Sequence, residues 1–152
     1  MKIKNKTFFL KTKKYLEFID LTDQVKDFVK TSKIKNGQVL IYSFHTTLAI
    51  RINEKERGII NDFGGFMAKF LPKEKYYEHN DLKIRTENLV CSVGATDCLN
   101  GHSHCAHLLM GGTSEVVPII DGKLALGQWQ WIFAIELDSA RSRKIIMQIM
   151  GE

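Results

Sequence analysis

All five histidines of the chain fall in or beside short polar motifs: His45-Thr46-Thr47, Tyr77-Glu78-His79-Asn80-Asp81 and Asn100-Gly101-His102-Ser103-His104, with His107 just beyond. Imidazole is a common metal ligand and the side chain best suited to proton transfer near neutral pH. If the segment after Asn100 is helical, His104 and His107 stand one turn apart on one face, a spacing that brings two imidazoles to one metal. If it is extended, His102 and His104 share a face instead. Either way two ligands are available locally, and His45 or His79 completes the set.

A second group of polar residues lies towards the C-terminus. Ser114 to Leu126 reads as a β-hairpin: Val116, Val117, Ile119 and Ile120 form an apolar run, Asp121-Gly122 supplies the positive-φ turn pair, and Leu124 and Leu126 open the return. Gly127, Trp129 and Gln130 follow, too polar and aromatic for simple packing. In a strand from Gln130 to Leu137, alternation puts Glu136 on the face of Gln130, Ile132 and Ala134. A carboxylate there is costly to bury alone, so a cation, a histidine or an arginine is expected to meet it. Arg141 stands at the turn into the last strand, where a guanidinium fork suits phosphate oxygens.

These motifs together resemble the YjbQ-like family, whose members are named secondary thiamine-phosphate synthase enzymes. The resemblance is carried by Ser114, Val117, Ile119, Gly122, Gly127, Trp129, Gln130 and Ile132, by the histidine motifs above, by Asn53-Glu54, and by the end from Glu136 to Gly151. It departs at Gln128, where the family has Thr, and at Ser139-Ala140-Arg141, where it has Gly-Pro-Arg. The resemblance implies that His45, His79, His104, Gln130 and Glu136 are catalytic. It implies that Thr46, Asn53, Glu54, Trp129 and Arg141 bind substrate. It also implies coupling of a pyrimidine pyrophosphate to a thiazole phosphate, with a divalent metal, zinc or magnesium, on His45, His79 and His104, in a homotrimer.

The elements that must position these residues follow from periodicity. Lys2 to Leu10 and Tyr15 to Asp20 alternate like a two-stranded meander, and Thr22 caps a helix running to about Lys33. Gln38 to Phe44 and Leu48 to Ile52 are strands. Asn53 caps a second helix with Glu56 reaching back to it, and Ile59, Phe63, Phe66 and Phe70 mark its apolar stripe across Gly64-Gly65. Capping alone accounts for Asn53. Pro72 to Glu87 is a long polar connection of the kind that tends to be functional. Leu89 to Val93 is a strand, Asn100 to Met110 a short helix, and strands at Lys123 to Gln128 and Lys144 to Met150 complete the set. The class is α+β: mostly antiparallel, β-sandwich-like sheets with two or three helices.

A length of 152 residues suits one domain over 1–152, and 44% hydrophobic with 26% charged residues excludes a disordered chain. No apolar run approaches the roughly 20 residues of a membrane helix, and the start is not a signal peptide, so a cytoplasmic protein is expected. Three cysteines without a Cys-x-x-Cys pair give neither a disulfide framework nor a zinc ribbon. The net charge of +5 fits a phosphorylated small-molecule substrate. The lysine-rich N-terminus interleaves with Phe8, Phe9 and Tyr15, but the usual nucleic-acid-binding motifs are missing and nucleic acid is not an expected partner. Two alternatives remain. His102-x-His104-x-x-His107 superficially matches the histidine loop of metal-dependent hydrolases, with Ala106 where their Asp stands. A non-catalytic oligomeric binding module fits strands apolar on both faces, 39–44, 131–137 and 144–150.

Overall fold

Alternating strands leave one apolar face each, and two antiparallel sheets bury those faces against one another in the computed structural model, which describes residues 1–89 and 99–152. In chain order the elements are β1 (Lys2–Lys11), β2 (Phe18–Asp20), α1 (Thr22–Ser32), β3 (Gly37–Ser43), β4 (Leu48–Asn53), α2 (Arg57–Phe70), a 3-10 turn (Glu78–Asn80), α3 (Gly101–Met110), β5 (Ser114–Ile120), β6 (Lys123–Leu124), β7 (Trp131–Glu136) and β8 (Ser142–Gly151). The strand orders are β1-β8-β3-β5-β6 and β2-β7-β4, and every pairing is antiparallel. The class is α+β, with three α-helices among the described residues.

The larger sheet turns Val39, Ile41, Val117, Ile119, Ile145, Met147 and Ile149 inward, onto Leu48, Ile50, Ile132 and Ala134 of the smaller sheet and Val25, Phe28 and Val29 of α1. Each such side chain contributes roughly 1.5–3 kcal/mol when fully buried. The smaller sheet is covered on its other face as well, where Ala49, Phe133, Ile135 and Leu137 meet Met67 of α2 and Ala106 of α3. The two-sided apolar character of 131–137 is therefore accounted for inside one chain. The outer face of the larger sheet differs: Phe9, Val116 and Ile120 are exposed there.

Several expectations are corrected. β1 and β2 do not form a meander: β1 is the edge of the larger sheet beside β8, and the chain crosses to the smaller sheet through Leu16, held at φ 54. Thr22 does not cap α1, because its hydroxyl accepts the Ile132 N–H at 2.9 Å, and Asp20 Oδ1 takes the Thr22 N–H instead. The second helix starts later than expected. Asn53 ends β4, and Glu56 is the cap, accepting the N–H groups of Gly58 at 2.6 Å and Ile59 at 2.9 Å. β6 is only two residues long, and Gln130 precedes β7 rather than belonging to it. The Asp121-Gly122 turn is as expected, with both residues at positive φ. The strand expected at Leu89 to Val93 lies, apart from Leu89, outside the described residues.

Candidate functional site

The site lies at the end of the sandwich where β3 leaves the larger sheet. Ser43 Oγ accepts the His45 N–H at 3.2 Å, which turns the chain and presents His45-Thr46-Thr47. His45 Nε2 accepts the Lys144 N–H at 2.7 Å. An amide N–H can only donate, so Nε2 supplies the lone pair and the ring proton is on Nδ1. Burial and the Arg143 charge hold the His45 pKa below the usual imidazole range, against the pull of Glu136. His45 is thus a neutral ring that offers a donor.

Glu136, at 0% exposure, anchors the site. Arg143 grips both oxygens: Nε donates to Oε2 at 2.7 Å and Nη2 to Oε1, while Nη2 also reaches Thr47 Oγ1 at 3.0 Å. The Thr12 hydroxyl donates to Oε2 at 2.8 Å and the Asp138 N–H to Oε1 at 2.9 Å. A buried carboxylate with four donors is compensated in full. Its office is to hold Arg143 at the wall of the cavity.

Asp138 organises the other side. Burial favours its neutral acid, but hydrogen bonds from Asn100 and Arg141, the Arg141 charge and the Ser139 N–H outweigh that and keep its pKa below the usual carboxylate range. Arg141 Nε donates to Oδ2 at 2.7 Å and Asn100 Nδ2 to the same oxygen at 2.8 Å. An ionised carboxylate only accepts, so the Asn100 amide must face it with NH2 and turn Oδ1 towards His79 Nε2, 3.2 Å away, a nitrogen that Arg85 Nη1 also approaches at 3.3 Å. His79 is held from its own loop too, where Arg85 Nη1 donates to the His79 carbonyl at 3.0 Å. The loop is seated on α3: Asn80 Oδ1 accepts the Gly101 N–H at 2.9 Å, and a Cβ at Gly101 would lie 2.6 Å from Tyr77 Cβ. That seating brings the His79 and His104 rings to 4.6 Å between centroids. Burial, the His79 charge, His107 and Arg85 lower the His104 pKa, with Asp138 pulling the other way.

Of the expected site residues, His45, Thr46, His79, His104 and Arg141 line one open cavity of about 800 Å³. Glu136 is sealed behind Arg143. Gln130 is not on the histidine side: its Oε1 accepts the Gly127 N–H at 2.8 Å in an exposed turn, beside an exposed Trp129. Asn53 and Glu54 line a separate, mostly apolar cavity of about 210 Å³ between β4 and α2. His102 is turned away, with its ring against Tyr15 and Tyr77, and His107 is not among the cavity's lining residues. The His-x-His-x-x-His segment therefore does not act as one unit.

The three expected metal ligands share the cavity without forming a ligand set. Among the described residues no three His, Cys, Asp or Glu groups converge as a metal requires, and the lone pair of His45 is committed to Lys144.

Arg143, Asp138, Asn100 and Arg85 were not expected at the site. One of them had a signal in the sequence, since Arg143 falls in phase with Ile145, Met147 and Ile149, the buried row of β8. A charge in a core row demands a buried countercharge.

The comparisons with known proteins cover this architecture almost entirely. Residues 6–152 match the family model described as UPF0047 protein YjbQ-like. A UPF0047 protein of Archaeoglobus fulgidus is 40% identical over 93% of this chain and 97% of its own length. The UPF0047 protein YugU of Bacillus subtilis is 31% identical over 96% and 98%. Among solved structures, a YbjQ-like protein of unknown function from Sulfolobus solfataricus aligns with a TM-score of 0.84 at 34% identity, covering 99% of both chains.

Proposed function

Because the chain belongs to the YjbQ-like UPF0047 family, we propose that its histidine cavity binds a phosphorylated small molecule and catalyses group transfer of the thiamine-phosphate synthase type. In that reaction the thiazole nitrogen attacks the pyrimidine methylene carbon, and the C–O bond to pyrophosphate breaks with its electron pair leaving on the pyrophosphate. The step needs fixed positive charge and donors where that charge develops, in a site that limits water.

The observation that carries this reading is the state of Arg141. Asp138 holds it through Nε, which orients the guanidinium and leaves both Nη groups for phosphate oxygens. His45 adds an Nδ1–H donor. His104, kept neutral by burial beside His79, is available to exchange a proton.

The test is thiamine phosphate formation from the two phosphorylated substrates, with chelator and with added magnesium or zinc. Arg141→Gln is expected to lower kcat/KM by about 10²-fold or more, the loss typical of one donor to a developing anion. Formation unaffected by Arg141→Gln refutes the assignment of this cavity.

We also propose a homo-oligomer, a trimer in the first instance. Its support is the outer face of the larger sheet, where Phe9 at 71%, Val116 at 49% and Ile120 at 56% exposure form part of an uncovered apolar surface. Sedimentation equilibrium checks it, and a monomer at micromolar concentration refutes it.

A further inference from the structure

A second concavity, of about 590 Å³, lies between α1 and the β5–β6 hairpin, lined by residues that the histidine cavity does not use. Five lysines line it: Lys26 and Lys30 one turn apart on α1, Lys33 at the left-handed residue ending the helix, then Lys35 and Lys123. Among the described residues the only acidic group lining it is Asp121. Lys26 is drawn to Asp23 at 3.4 Å, whereas Lys30, Lys33, Lys35 and Lys123 have no carboxylate partner among the described residues. Like charges one helical turn apart cost about 0.2–0.5 kcal/mol, so the arrangement works against folding until an anion enters.

The floor is of the opposite character. Val29 and Ile34 are each 1% exposed, and Leu124 is half-buried beside them. The lysine stems extend this apolar surface while their ammonium groups reach its rim. Among the described residues no aromatic side chain lines the concavity, which gives a nucleobase no stacking platform there.

We propose that this cleft binds an anionic amphiphile, a phosphate or pyrophosphate monoester of an aliphatic alcohol. The head group meets the ammonium groups of Lys30, Lys33, Lys35 and Lys123, and the hydrocarbon lies on half-buried Leu124 and the lysine methylene stems. The inference does not rest on the function assigned to the histidine cavity.

The experiment is calorimetric titration of the full chain at low salt with octyl phosphate, inorganic pyrophosphate and octanol as separate probes. Octyl phosphate is expected to bind at least about tenfold more tightly than either half-ligand. Its affinity falls as salt is added, because exposed charges are screened. The double variant Lys30→Glu/Lys123→Glu is expected to lose about tenfold or more in affinity, while Lys2→Glu/Lys4→Glu, the same charge change on β1, loses less than about threefold. All titrations are made in the Arg141→Gln background, so that phosphate binding in the histidine cavity does not contribute to the heat. Thermal unfolding followed by circular dichroism confirms that each variant is folded, and Lys30→Gln/Lys123→Gln replaces the glutamate pair if that pair unfolds. In that Arg141→Gln background three results overturn the proposal: no heat with octyl phosphate at millimolar concentration, pyrophosphate binding as tightly as octyl phosphate, or equal weakening by the α1–hairpin and β1 variants.

Discussion

Glu136→Gln isolates what the buried ion pair contributes. The substitution keeps the shape of the side chain, and the amide oxygen can still accept the Asp138 N–H. Its NH2 group, however, takes the place of Oε2 and meets the Arg143 Nε–H, donor against donor. Arg143, with 4% of its side chain exposed, is left as a buried cation with Thr47 Oγ1 as its other acceptor. Removing one partner of such a pair costs about 3–5 kcal/mol, because the remaining charge stays desolvated. At about 2–4 °C per kcal/mol for a chain of this size, the melting temperature falls by roughly 6–20 °C. The internal control is Asp20→Asn, which breaks the Lys55–Asp20 pair at 2.8 Å, where the side chains are 48% and 22% exposed. A pair with that exposure is worth about 1 kcal/mol or less. Urea unfolding at one fixed protein concentration compares the two, and the slope m reports whether both variants unfold from a comparably folded state. Arg143→Gln added to Glu136→Gln removes the stranded charge and is expected to recover part of the loss, giving a coupling energy outside additivity. If Glu136→Gln costs no more than Asp20→Asn, Glu136 is not the anchor of the cavity wall.

Three further outcomes are expected. His104→Ala should cost no more than roughly 1 kcal/mol in folding, because its ring is only half-buried in a polar setting, yet about 10²-fold or more in the rate of thiamine phosphate formation; His107→Ala run alongside should spare the rate, and a sharp drop in melting temperature with unchanged turnover would make His104 structural. The folded-state pKa values of His45, His102, His104 and His107 are all lowered, chiefly by burial. The unfolded chain then binds more protons below its own imidazole value of about 6.5, so stability is complete above that pH and is lost as the pH falls through and below it; a urea midpoint equal or higher at pH 5.5 than at pH 7.5 contradicts this sign. Gly101→Ala forces a Cβ to 2.6 Å from Tyr77 and should unseat the 3-10 turn from α3, weakening ligand binding in the histidine cavity more than Gly65→Ala on α2, where a Cβ meets nothing within 4 Å; equal effects on ligand affinity would show that the seating does not place His79.

What could be read from the chain alone divides along the range of the interactions involved. The α3 helix, the Asp121-Gly122 turn and the alternation that puts Glu136 inward are all set by neighbours within a few residues, and each was legible. Which sheet a strand joins is not a local matter. β1 and β2 alternate alike, but only the left-handed Leu16 and the tie from Thr12 to Glu136 and Arg141 decide that the chain changes sheets between them. Caps fail for a related reason. Thr22 is a competent cap by type, yet the Ile132 N–H, 110 residues away in sequence, claims its hydroxyl.

The same division runs through the site. The family resemblance singled out His45, His79 and His104, which share a cavity, and equally Gln130, Asn53 and Glu54, which do not line it. The difference lies in the second layer of residues. Asp138 and Asn100 fix the His79 ring and the Arg141 fork, and Glu136 fixes Arg143, through hydrogen bonds spanning 38, 21, 3 and 7 residues. The charges that would meet a phosphate are therefore held by carboxylates that the ligand need never touch. A substitution at Asp138 should act on phosphate affinity through Arg141, and Asp138→Asn provides the case: its amide keeps the volume, removes the charge that orients the guanidinium, and leaves Arg141 rotationally free. Phosphate-ester affinity is expected to drop by about tenfold, with the loss shrinking in an Arg141→Gln background because the two residues work as one unit. Equal losses in both backgrounds would mean that Asp138 acts independently of Arg141, through Asn100 and His79 or on the ligand itself.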